Sequence, residues 1–142
     1  MPFTEQETSV GMIAWFAIDE LRNAAGVRHN GGTSVSGGRP FVCYCVDANG
    51  DLYWAPLTLK STQPERTVIK KAWILRPTGK FLTESASIND GEHTYSGPTN
   101  VFAALSTAHD PKQAAERPFL TQDGIAAVVE AVKTRRGLLP PS

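Results

Sequence analysis

Thr58, Lys60 and Ser61 fall within four residues of one another, just past an Ala55-Pro56 step that closes an aromatic run. A hydroxyl, an ammonium and a second hydroxyl set down together suit an anionic ligand, since all three donate hydrogen bonds and one is charged. His93 lies in a polar run with Asp90, Glu92 and Tyr95. Its imidazole titrates near neutral pH, so the group has the make-up of an acid/base cluster, although polar loops carry such residues without function too. His29, beside a glycine-rich run, is comparable, whereas His109 before Asp110-Pro111 reads as a helix-flanking residue. Tyr53 and Trp54 offer rings on which a base could stack, but strand alternation turns one of them to the core. Lys70-Lys71 and Arg135-Arg136 read as solvated faces that could also track an RNA backbone.

These residues need a frame, and a hairpin supplies it. Residues 39–46 and 51–58 are β-rich runs separated by Asp47-Ala48-Asn49-Gly50, and Asn-Gly between such runs is a strong hairpin signal. The second strand stops at Pro56, which cannot donate a ladder hydrogen bond, so Thr58 stands at a strand terminus. Before the hairpin, Val10, Ile13, Ala14, Ala17, Ile18, Leu21 and Ala25 recur at helical spacing; the pattern predicts a helix over 8–25, capped by Thr8 or Ser9 and stopped by Gly26. Residues 28–38, with four glycines, read as a loop, either a lid or a plain connector, without the Gly-Lys-Ser/Thr ending of a P-loop.

Beyond the hairpin, 67–76 predicts a third strand, 81–83 a short one, and Thr94-Tyr95 has weak strand character. Residues 101–108 fit a short helix or a strand. Pro111 to Arg117 reads as one or two helical turns, and Thr121 caps a helix over 122–136 whose apolar face is Ile125, Val128, Val129 and Val132. The expectation is a single α+β domain over 1–142: a helix at 8–25, a small, strongly bent antiparallel sheet of barrel type at 39–105, helices at 111–136, and a tail at 137–142.

Fourteen Lys and Arg balance fourteen Asp and Glu, so any nucleic-acid contact must use a local basic face. Cys43 and Cys45, two apart on one strand, are expected on the same face as reduced thiols, and the scattered histidines make no zinc spacing. No metal or other cofactor is expected, and no nucleophile motif of Ser or Cys type appears. The opening residues lack a secretory pattern, and 11–18 is too short to span a bilayer, so a soluble cytoplasmic chain without membrane contact is expected.

Gly38-Arg39-Pro40-Phe41-Val42 followed by Ala55-Pro56-Leu57-Thr58 resembles the MazF/PemK superfamily of endoribonuclease toxins. Tyr53 to Thr58 with Lys60 and Ser61 is also similar to the ToxN-type toxins, although Leu59 stands where those enzymes carry serine. The resemblance covers roughly residues 37–62. It implies an SH3-like barrel that cleaves single-stranded RNA without a metal, leaving a cyclic phosphate, in a toxin–antitoxin or phage-defence system. It further implies an antitoxin of protein or RNA and a homodimer. Arg39 would serve the phosphate and proton transfer, Thr58 would supply the strand-end hydroxyl, and Lys60 and Ser61 lie where ToxN-type enzymes place further polar groups; His93, read from its own polar run, is the remaining catalytic candidate. Tyr53, Trp54, His29 and Lys70 would contact RNA. That family opens with a strand near its N-terminus, where this chain reads as helix. The alternative is a non-catalytic module on the same barrel, binding a protein or nucleic acid.

Overall fold

Ile13-Ala14-Trp15-Phe16-Ala17 holds no polar residue, and the fold shows why: both faces of this segment are covered. The computed structural model describes residues 9–30, 38–59, 66–75, 86–89, 94–106 and 119–136. In chain order the elements are β1 (Ile13–Ala17), α1 (Ile18–Asn23), β2 (Arg28–Asn30), β3 (Gly38–Val46), β4 (Asp51–Pro56), β5 (Thr58–Leu59) and β6 (Arg66–Ile69). A 3-10 turn (Lys71–Trp73) follows, then β7 (Ile74–Leu75), β8 (Ala86–Asn89), β9 (Thr94–Pro98), α2 (Thr99–Leu105), β10 (Phe119–Leu120) and α3 (Gln122–Arg136).

The helix expected over 8–25 is corrected: β1 occupies its centre, and α1 is confined to six residues. A continuous apolar run satisfies helical spacing and a strand buried on both faces equally well, so periodicity could not separate them. Asp19 and Glu20 favour a helix start through the dipole, and Gly26 takes the left-handed conformation (φ +88°) in the turn beyond α1.

Five strands pair antiparallel in the order β1-β3-β4-β9-β2, β5-β8-β6 form a second sheet, and β10 pairs with β7. The architecture is α+β, with a strongly curled antiparallel half-barrel and, among the described residues, three helices. One core, containing Trp15, Val42, Tyr44, Leu57, Ile69 and Ile88, lies on the side closed by the β5-β8-β6 sheet and by Val128 and Val132 of α3. The other lies beneath α1 and α2, where Phe16 meets Trp54, Phe41 and Phe102 at centroid distances of 4.9, 5.6 and 5.6 Å.

The hairpin forms as expected. Gly50 carries φ +83°, Gly50 N–H donates to the Asp47 carbonyl (3.0 Å), and the Asp47 carboxylate accepts from Asn49 N–H (2.9 Å) and Asp51 N–H (3.0 Å). This is the three-residue loop in which a left-handed glycine closes a turn. Further along β3 the register shifts, with Cys43 opposite Trp54 and Cys45 opposite Tyr53. The extra residue reverses the pleat, so Cys43 joins the core under α1 and α2 while Cys45 packs against the other. The expectation of one shared face is therefore corrected, and both thiols are free.

Three further expectations change. Residues 28–30, read as loop, pair with β9 as a strand needing only backbone partners. The strand expected over 67–76 breaks at Lys70, whose carbonyl accepts from Trp73 N–H (2.9 Å); the turn lets Ile69 and Ile74 enter the same core. Residues 101–108, left open, contribute to α2 through Leu105. In α3, Thr121 accepts from Gly124 N–H (3.3 Å) as the expected cap. The strand over 81–83, the turns over 111–117 and the tail lie outside the described residues.

Candidate functional site

Pro40 and Pro56 organise the point where β4 leaves its first sheet for the second. Phe41 pairs with Pro56, and one step further Leu57 N–H donates to the Pro40 carbonyl at 2.9 Å. Proline has no N–H, so this pair makes one of its two possible bonds and the ladder ends. Freed there, the chain continues as β5, where Thr58 pairs with Ser87 of β8. Within the second sheet one cross-strand row runs from Thr58 through Ser87 to Val68.

Arg39 itself is in β3, opposite Phe16 of β1. Thr58 is half-buried, and Ser87 is 4 % exposed, its hydroxyl donating to the Thr58 carbonyl at 3.4 Å. Two hydroxyl side chains stand on one face, because residues directly opposite in an antiparallel pair share a face. Such a row can donate to an anion. Lys60, Ser61 and His93 lie outside the described residues.

The aromatic pair divides as alternation requires. Trp54 is wholly buried, so the stacking role expected for it is corrected: it has no surface to offer a base. Tyr53 is half-buried, lies 6.3 Å from the Tyr44 ring, and donates its hydroxyl to the Asp47 carboxylate at 3.1 Å. His29 is opposite Tyr95, two strands from Trp54 in the same row. Lys70 holds its ammonium 5.1 Å from the Trp73 ring, within cation–π range.

A second polar group, which the sequence did not announce, gathers at the far end of the hairpin. Arg28, Ser96, Tyr53 and Cys45 occupy one row across β2, β9, β4 and β3. Arg28 bridges to Asp51 at 2.8 Å and donates through Nε to Ser96 at 3.3 Å. Partial desolvation opposes ionisation of Asp47, but the N–H groups of Asp51 and Asn49, the Tyr53 hydroxyl and the Arg28 charge hold its carboxyl below the usual range. Tyr53 is pushed up, first by burial and then by its bond to Asp47. Burial drives the Cys43 thiol up to about 12, against hydrogen bonds from the main chain of Cys45 and Tyr53. Arg28 is paired with Asp51 and Ser96, and Tyr53 with Asp47, so these groups read as a clamp on the hairpin tip.

Asp47 had a visible signal as a turn residue, and Tyr53 and Cys45 as strand residues, but their grouping with Arg28 and Ser96 had none. Ser87 lies in Ser85-Ala86-Ser87-Ile88, which has no strong periodicity. Arg28 and Ser96 meet through pairing of strands sixty-eight residues apart. Among the described residues no three His, Cys, Asp or Glu side chains group as metal ligands, and no helix is long and apolar enough to cross a membrane. A shallow groove on α3 is lined by Val10, Ile125, Ala126 and Val129 between Gln122 and Glu130. Set against known protein families, curated proteins and solved structures, the chain matches none of them.

Proposed function

We propose that this chain is a toxin-like endoribonuclease on an SH3-like barrel, cleaving single-stranded RNA in the cytoplasm without a metal. The observation that carries the reading is the Leu57 N–H bond to the Pro40 carbonyl at the β3–β4 junction, which ties together the residues next to Arg39 and Thr58. The resemblance requires a guanidinium and a hydroxyl together at one phosphate. Their separation by eighteen intervening residues in sequence made that a demanding condition. A second support is β1: an early strand stands where a helix would have set the chain apart from the toxin superfamily.

In the proposed reaction the 2′-oxygen of a ribose attacks the adjoining phosphorus and loses its proton to a base. The P–O5′ bond breaks, and the departing 5′-oxygen takes up a proton, leaving a 2′,3′-cyclic phosphate. Arg39 would meet the non-bridging oxygens with its planar fork, and Thr58 would donate to the phosphorane, where charge accumulates. Lys60, Ser61 and His93 complete the proposed set, and an antitoxin and a second copy of the chain are its proposed partners.

Purified protein incubated with single-stranded RNA in EDTA should yield fragments ending in cyclic phosphate. Arg39→Ala or Thr58→Ala should each lower the rate by about 100-fold or more, the scale set by removing one donor to a transition-state oxyanion. Intact RNA across several sequences would overturn the reading. The zero net charge favours a second one, a non-catalytic binding module, since strong RNA affinity draws on cationic contacts. Growth arrest on overexpression separates the two: a nuclease produces it, an adaptor does not.

A further inference from the structure

We infer that Trp73 and Lys70 form a stacking site for one nucleotide of the RNA strand, flanking the phosphate site at Thr58; the inference rests on the ribonuclease reading above. Ile69 and Ile74 enter the core on either side of the 3-10 turn, while Lys70 and Ala72 are exposed and Trp73 is half-buried. Of the three tryptophans in the sequence, Trp15 and Trp54 are 3 % and 0 % exposed, so Trp73 is the one with surface to offer. The Lys70 ammonium lies 5.1 Å from the centre of its ring. An exposed lysine marks the side of the ring that faces water, and at such a site the attraction between ammonium and ring is weak.

A nucleotide matches this pair part for part. Its phosphate takes the ammonium, and its base takes the ring face that the ammonium leaves. The ring is positioned before RNA arrives. Trp73 N–H donates to the Lys70 carbonyl at 2.9 Å, and Thr121 N–H donates to the Trp73 carbonyl at 2.8 Å. Gly124 lets α3 come close, since a Cβ there would lie 3.1 Å from the Trp73 Cβ. A ring on a fixed backbone gives up little freedom when a base stacks on it. The site also lies near Thr58. Thr58, Ser87 and Val68 are successive members of one row, so two strand spacings, about 10 Å, separate Thr58 from Val68. Val68 is 47 % exposed on the side away from Ile69, and Lys70 follows it by two residues. An RNA strand with a phosphate at Thr58 thus passes Val68 and sets a neighbouring nucleotide on Trp73. Because the chain has no net charge, affinity must come from local contacts, and stacking accepts any base.

The probe is a 2′-O-methylated oligonucleotide of about eight nucleotides, within the site sizes of single-strand binders, whose blocked 2′-oxygen prevents cleavage. With Trp15 and Trp54 buried, contact quenching of tryptophan emission reports on Trp73, and the oligonucleotide should quench it saturably. By anisotropy of a labelled oligonucleotide, Trp73→Ala should weaken binding about 10-fold, the scale of one stacked base, and Trp73→Phe, which keeps a ring, should recover most of it. Lys70→Gln should lower the slope of log Kd against log salt by about 0.7, the share of one phosphate contact on a single strand. Circular dichroism checks the fold of each variant, and quenching in wild type carries the test should Trp73→Ala fail to fold. Binding that leaves the emission unchanged, or a folded Trp73→Ala that binds as wild type does, would overturn the inference. The same holds if wild type cleaves unmodified RNA yet does not bind the oligonucleotide; in that case the ribonuclease reading survives. Neither cleavage nor binding would overturn both.

Discussion

Cys43 and Cys45 share a strand, yet their chemistry is set by opposite surroundings. The bulge at Tyr44 sends Cys43 into an aromatic core, where burial holds its thiol protonated up to about 12. Cys45 is half-buried and is also raised, by desolvation and by the Asp47 charge. Neither should react quickly with iodoacetamide at pH 8, and Cys43 should label only after denaturation; rapid alkylation of Cys43 in folded protein, read by mass spectrometry, would contradict this. Asp47 acts in the reverse sense. Its carboxyl titrates lower in the folded chain than in the unfolded one, so its contribution is complete above the ordinary carboxylate range. That contribution fades as pH falls through the folded value. Asp47→Asn should therefore be less stable than wild type at pH 7, and the difference in urea midpoint should shrink on acidification. A gap that widens toward low pH would refute the assignment. Asp47 could be read as a turn residue from Asp-Ala-Asn-Gly alone. Its partnership with Tyr53 and Arg28 could not, because Arg28 arrives on a strand with no pattern of its own.

The hairpin and α3 are decided by neighbours along the chain, and they match expectation. Glycines separate two causes of constraint. Gly50 needs its positive φ but has open space where a Cβ would stand, so Gly50→Ala should cost about 1 kcal/mol, from the left-handed conformation alone. At Gly97 an added Cβ would lie 2.7 Å from the Gly26 carbonyl oxygen, a main-chain atom of the turn after α1. Gly97→Ala should cost about 3 kcal/mol, at the upper end of overpacking effects, because the backbone on both sides must move. Urea unfolding of the two variants checks the order, and equal losses would show that the contact between β9 and the turn is slack. β1 is the counter-example to local control. The same apolar residues would have made an acceptable helix, and pairing with β3 along Ile13–Ala17 made them a strand.

Burial on both faces of one sheet accounts for the shape of the molecule. Trp54 sits in the middle of the core beneath α1 and α2, 0 % exposed, in contact with Phe16 and Phe102. Trp54→Ala should cost about 3–5 kcal/mol, the range for deleting a buried aromatic. Denaturant unfolding measures it, and a loss below about 1 kcal/mol would mean that Trp54 was a surface ring after all. Such a loss would also restore it as a platform for a base.

The amino-acid order by itself determined what short-range forces can settle: the Gly50 turn, the proline stop of β4, the Thr121 cap and the amphipathic run of α3. Each depends on residues within a few positions, whose backbone preferences and side-chain bonds act before any distant contact exists. Only the tertiary structure decided that Ile13–Ala17 is a strand, that Arg28–Asn30 joins a sheet edge, and that Thr58 pairs with Ser87. Strand hydrogen bonds join segments far apart in sequence. A run buried on two sides loses the alternation by which its partner could have been read.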